Sequence, residues 1–66
     1  MLIVPLYASS ANYREWETTQ DGITYTIVED NGTWTLLRCP AEGIWVVDST
    51  GVDSFLAQHN LVLGEG

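Results

Sequence analysis

The chain of 66 residues contains no lysine, and its nine carboxylates are set against only Arg14 and Arg38, for a formal net charge of -7. A surface this negative repels phosphate, which argues against direct binding to nucleic acid or to an anionic membrane and turns electrostatic attraction toward basic partners. The length allows one small domain, 1–66, that buries about 60% of its unfolded surface, while 45% hydrophobic residues and three tryptophans are too apolar a content for a disordered acidic tail.

In chain order, the first apolar stretch, Leu2 to Tyr7, reads as a strand. A secretory leader would need a positive residue before it and a longer apolar run than about seven residues; here the polar segment Ser9 to Asn12 follows too soon. Pro5 has no N–H to give to a ladder, so it predicts a sheet edge or a bulge. Tyr13 to Gln20 follows, read as a strand against a competing short helix that starts at Ser10. Two turn signals decide for the strand. Asn31-Gly32 lies between segments rich in β-branched and aromatic residues, the strongest short hairpin signal. As a two-residue loop it pairs 30 with 33, 29 with 34, 27 with 36 and 25 with 38. Asp21-Gly22, read the same way, pairs 20 with 23, 18 with 25, 16 with 27 and 14 with 29. The two turns agree: Trp16, Ile23, Tyr25, Ile27, Trp34 and Leu36 fall on one buried face, with Arg14 opposite Glu29. Thr24, Thr26, Val28, Thr33, Thr35, Leu37 and Cys39 fall on a wet one.

Cys39-Pro40-Ala41-Glu42-Gly43 reads as a loop, and Ile44 to Val47 as a strand whose unbroken apolar run suggests a central position or cover on both faces. A helix begins after Asp48, capped by Ser49 or Thr50, with Asp53 completing a variant capping box after Thr50. Val52, Phe55, Leu56 and His59 at i, i+3, i+4 and i+7 form its apolar face. Asn60 is a left-handed terminator, Leu61 to Leu63 return as a strand or pack back on the sheet, and 64–66 form a frayed tail. The expected fold is α+β: an antiparallel meander of four to five strands with one C-terminal helix packed on one face.

Reactive groups are few. His59 lies on the apolar helix face and reads as a packing residue rather than a ligand or catalyst. Cys39, the only cysteine, cannot form an internal disulfide, and an acidic chain stabilises its thiolate poorly. Asp30-Asn31-Gly32 lacks the remaining ligands of a calcium loop. Asn31-Gly32-Thr33 matches a glycosylation sequon, a coincidence in a chain read as having no leader. The glycines follow no phosphate-cradling pattern, and no run reaches the roughly 18 apolar residues of a membrane-crossing helix. These readings predict no enzyme, cofactor or metal, and a cytoplasmic setting.

The carboxylates and aromatics remain as candidates. Ordinary surfaces intersperse both signs of charge, so the missing lysine points to a field put to use. In size, acidity and lack of reactive groups the chain is similar in kind to phage-encoded inhibitors of host defence, the anti-CRISPR and anti-restriction proteins that imitate the phosphate array of DNA. The likeness is one of composition and rests on no motif; it implies a host-cell cytoplasm and a larger protein with a basic surface as partner. The candidate docking residues are Glu15, Glu17, Asp21, Glu29, Asp30 and Glu42, with Tyr13 or Trp45 as hydrophobic anchor. The alternative expectation is an assembly module that homodimerises through Leu2 to Tyr7 or the face of Trp45, its acidity serving solubility only.

Overall fold

Three two-residue turns, ten residues apart, build most of the molecule. The computed structural model describes residues 1–39 and 44–65, with the backbone alone described for residues 39 and 44–46. Its elements are β1 (Leu2–Val4), β2 (Leu6–Ser10), β3 (Tyr13–Gln20), β4 (Ile23–Asp30), β5 (Thr33–Cys39), β6 (Ile44–Val46), α1 (Ser49–His59) and β7 (Leu61–Leu63). Strands β2 to β6 form an antiparallel meander in chain order, and β1 pairs separately with β7 in a parallel ribbon. The fold is therefore α+β, with the sheet and helix read from the sequence.

Both hairpins keep the expected register, from Gln20 opposite Ile23 to Arg14 opposite Glu29, and from Asp30 opposite Thr33 to Tyr25 opposite Arg38. The cause is local. Asp21 and Gly22 have φ of 54° and 78°, and Asn31 and Gly32 have 55° and 85°. Two successive left-handed residues make the turn whose twist matches that of the flanking strands, and Asn, Asp and Gly adopt it at least cost. The third turn, Ala11-Asn12, has neither glycine nor positive φ. It is held instead by its neighbour, since the Asn31 N–H donates to the Asn12 carbonyl at 2.8 Å.

Pro5 separates β1 from β2, and β2 runs along the sheet edge with a register shift between Leu6 and Ala8. The single strand expected from Leu2 to Tyr7 is thus two strands in two different sheets, and Pro5, with no N–H for a ladder, stands between them rather than at an edge or bulge position. The Ile44 to Val47 segment departs from expectation: β6 stops at Val46 and is the other edge of the described sheet. Its apolar run does not mark a central strand, because Val47 leaves the ladder and packs against the core beside the helix. The expected loop from Cys39 to Gly43 lies outside the described residues, the Cys39 backbone excepted.

The core forms between one face of the sheet and a second layer made of α1 and the ribbon. Trp16 and Ile27 are fully buried, with Val4, Val52, Phe55, Leu56 and Leu61 around them. Trp16 alone removes on the order of 200 Å² from water, an upper estimate of about 5 kcal/mol at 25 cal/mol per Å². Its indole N–H donates to the Gly64 carbonyl at 2.7 Å, so the burial leaves no orphaned donor. Trp34 stacks on it at 5.8 Å, and Phe55 meets Tyr25 at 4.8 Å.

The helix is capped one residue earlier than expected, by Asp48, whose Oδ1 accepts from the Gly51 N–H at 2.8 Å. Asp48 holds an extended backbone, the conformation that lets a capping carboxylate reach back over the first turn, whereas Ser49 and Thr50 are already helical. Asn60 ends the helix in the left-handed conformation. Two residues of the tail make contacts with the rest of the fold. Gly64 donates to the Val4 carbonyl at 2.8 Å, and Glu65 accepts both of its hydrogen bonds from Arg14 at 2.8 Å. No described helix is long and apolar enough to cross a membrane.

Candidate functional site

The sheet has two unlike faces, and the side-chain alternation of its strands decides which residue belongs to which. The inner rows face the helix and carry the core. The outer rows have no second layer among the described residues. Along β3 the outer row is Tyr13, Glu15, Glu17 and Thr19; along β4 it is Thr24, Thr26, Val28 and Asp30; along β5 it is Thr33, Thr35 and Leu37. Asp30 stands opposite Tyr13 and Val28 opposite Glu15, so Tyr13, Glu15 and Asp30 share one end of this face, with Glu17 next along β3 and the edge strand β2 beside them. Successive carboxylates on one strand face lie about 6.8 Å apart.

The Tyr13 hydroxyl donates to Glu15 Oε1 at 2.6 Å. That hydrogen bond, then burial and the negative charges of Glu15 and Asp30, hold the phenol above its ordinary ionisation range. Tyr13 is thereby fixed as a neutral donor among carboxylates, an aromatic body with a polar tip suited to an interface anchor. Beside this acidic end, Val28 and Leu37 are half-buried and provide apolar surface among threonines. Thr19 and Thr24 share a cross-strand hydrogen bond of 3.0 Å.

Both cations occupy inner rows. Arg14 pairs in register with Glu29, and Arg38 with Tyr25. Arg14 Nε donates to Glu29 at 2.7 Å, its terminal nitrogens add further bonds to Glu29 and Glu65, and its guanidinium lies 5.0 Å from the Trp16 ring centroid. These two carboxylates raise the Arg14 pKa above its ordinary value, by hydrogen bonding first and by charge second. Among the described residues, the outer rows therefore hold carboxylates and no positive side chain.

Of the residues proposed from sequence, the fold brings together Glu15, Glu17, Asp30 and Tyr13. Glu29 does not join them, because strand alternation sends it to the inner face, where it serves Arg14. Asp21 sits in the turn at the opposite end of β3. Glu42 lies outside the described residues, as does the side chain of Trp45; the Trp45 backbone pairs with Leu36, in the row of Ile27 and Trp16 rather than that of Glu15. Glu65 was missed, since nothing near it in sequence foretells a partner 51 residues away.

His59 packs its ring against Phe55 at 4.7 Å and Tyr25 at 6.0 Å. Among the described residues no three His, Cys, Asp or Glu side chains converge as metal ligands do. An open depression of about 300 Å³ runs along the Ala11-Asn12 and Asn31-Gly32 turns, and its two charged lining residues, Arg14 and Glu29, are bound to each other. Comparison of the chain with protein-family models, with curated proteins and with solved structures gives no match.

Proposed function

We propose that this chain is a small protein-binding module, acting in the cytoplasm, whose acidic outer face docks on a basic surface of a larger protein and inhibits or modulates it. The observation that carries this reading is the segregation of charge across one sheet: both arginines lie in inner rows, while Tyr13, Glu15, Glu17 and Asp30 lie together on the outer face, which no other described layer covers. A formal net charge of -7 distributed at random would serve solubility alone. The three carboxylates Glu15, Glu17 and Asp30, with no cation in their rows, give one face a local negative field, which speeds encounter with a basic partner and favours one docking orientation. Tyr13, Val28 and Leu37 supply aromatic and apolar surface beside the carboxylates, the mixture that stable interfaces use. A basic surface that otherwise receives nucleic acid is the favoured target, as in inhibitors that imitate the phosphate array of DNA.

The test is an affinity capture from a bacterial lysate with the wild-type chain and with a Glu15→Lys, Glu17→Lys, Asp30→Lys variant. Each reversal adds two charges, so the variant moves from -7 to -1 (-7 + 3 × 2). The reading predicts a basic protein retained by the wild type, released as salt rises and absent from the variant. With the purified pair, the association rate at low salt should fall by roughly 10- to 1000-fold. A partner retained equally by both chains, at every salt concentration, contradicts it.

A further inference from the structure

The β1–β7 ribbon lies on the inner side of the sheet, opposite the outer face, and its exposed residues are apolar. Met1, Leu2 and Ile3 are 80%, 64% and 70% exposed, and Val62, the register partner of Ile3, is 40% exposed. The ribbon also has an open backbone edge. The Leu2 N–H donates to the Asn60 carbonyl at 3.1 Å and the Val4 carbonyl accepts from Gly64 at 2.8 Å, so both of those groups point toward β7. Strand alternation then aims the N–H and C=O of Ile3 away from β7, onto an edge that no other described strand pairs with. An edge of this kind is a template for one more strand.

We propose that a second copy of this chain supplies that strand, β1 pairing antiparallel with its own counterpart about a two-fold axis at Ile3, to give a four-stranded order β7-β1-β1-β7. The charge distribution selects this occupant. Residues 1–13 contain no acidic or basic side chain other than the tyrosines, their one cation being the amino terminus of Met1, and 54–64 contain only His59; all side-chain carboxylates lie between Glu15 and Asp53 or at Glu65, which is held by Arg14. A molecule at -7 meets its own copy at least cost through the side that carries no acid. A two-fold contact must also be complementary to itself, which an apolar strand edge is and an acidic face is not. At the axis, Ile3 exchanges both backbone hydrogen bonds with its copy, and Leu2 comes to lie opposite Val4. Pro5 limits the pairing to this short segment, since it has no N–H to offer. The interface is small, below the roughly 1,200 Å² of stable complexes, so the dimer is weak and concentration-dependent.

This association goes beyond the docking role and responds to salt in the opposite sense. Screening relieves repulsion between two copies, whereas it weakens attraction to a basic partner. Sedimentation equilibrium of the full chain should find a monomer–dimer equilibrium whose association constant rises roughly tenfold between about 0.01 M and 0.15 M salt. Ile3→Lys should abolish the dimer, while the Glu15→Lys, Glu17→Lys, Asp30→Lys variant should strengthen it. Hydrogen exchange at the Ile3 amide, in the wild type, should slow as concentration rises. A monomer at every concentration and salt overturns the proposal. So does a dimer that survives Ile3→Lys or leaves Ile3 exchange unchanged. Binding of a monomeric chain through Ile3 to neutral phospholipid vesicles overturns it as well.

Discussion

Ile27 and Val28 are neighbours on β4 with almost the same side chain, yet Ile27 is wholly buried against Trp16 and Val28 looks out from a face with no second layer among the described residues. The same alternation runs through the meander. It sends Arg14, Trp16 and Glu29 inward and Tyr13, Glu15, Glu17 and Asp30 outward. One rule of strand geometry thus settles both what holds the protein together and what it presents. A slip of one residue would exchange the two faces and bury the carboxylates. Register is therefore the property on which both stability and the proposed docking depend.

Substitutions on the two faces should separate sharply. Trp16→Ala removes the largest buried side chain and an indole hydrogen bond, and should cost about 3–5 kcal/mol. That approaches the whole stability of a small domain, so cooperative thermal unfolding followed by circular dichroism should vanish or nearly so. Thr26→Ala, on the outer face, should change stability by no more than about 0.5 kcal/mol. Equal losses at the two sites would mean that the face assignment is wrong. Next in size, Ile27→Ala should cost about 2–4 kcal/mol and Val28→Ala below about 1 kcal/mol in urea denaturation. Adjacent positions remove differences in strand or depth along the sheet from that comparison.

Smaller effects test the layer that covers the inner face. A Cβ on Gly64 would stand 3.0 Å from the Val4 carbonyl oxygen and 3.0 Å from Ile3 Cγ2. Gly64→Ala should therefore cost about 1–3 kcal/mol by crowding, a loss that a frayed tail would not register in a urea titration. Asp48→Ala removes the carboxylate that caps Gly51 and should cost about 1 kcal/mol. If Ser49→Ala or Thr50→Ala costs more than Asp48→Ala, the cap lies where the sequence placed it and not where the fold does. The smallest effect belongs to Tyr13. Its raised pKa means that its contribution to stability is fully present below the ordinary tyrosine value of about 10 and is lost as pH rises through the higher folded value. Tyr13→Phe should thus flatten part of the alkaline decline in stability, and an unchanged pH profile would count against the Tyr13–Glu15 bond.

Much of this architecture is legible in the sequence where the cause is local. Asp21-Gly22 and Asn31-Gly32 fix two registers independently, because each pair tolerates the left-handed backbone that a two-residue hairpin requires. Asn60 ends the helix for the same reason. Ala11-Asn12 carries no such signal: its turn depends on a hydrogen bond from Asn31 on a neighbouring turn, so nothing in residues 9–13 alone distinguishes it from the start of a helix. The parallel pairing of β1 with β7 joins residues nearly sixty apart, and a parallel partner leaves no turn chemistry to read. The contacts of Gly64 and Glu65 follow from that pairing and were hidden with it. Asp48 resembles Ser49 and Thr50 as a cap, and only the backbone conformation tells them apart.

The candidate site follows the same division. Alternation along β3 places Glu15 and Glu17 together without reference to anything else, and the Asn31-Gly32 register adds Asp30 opposite Thr33. Glu29 was grouped with them by charge, although alternation assigns it to Arg14 on the other side of the sheet. Charge counts residues without regard to face, and strand parity corrects the count.

The central claim is that the negative field acts from one face, and the most direct measurement is an amide NMR titration of the chain with an oligoarginine peptide at low and high salt. Shifts should concentrate at Tyr13, Glu15, Glu17 and Asp30 and their outer-row neighbours Val28 and Thr35, and be lost as salt rises. Shifts of equal size at Asp21, Asp48 and Asp53, spread over the loops and the helix end, would contradict it, because a diffuse halo of charge has no face to dock with.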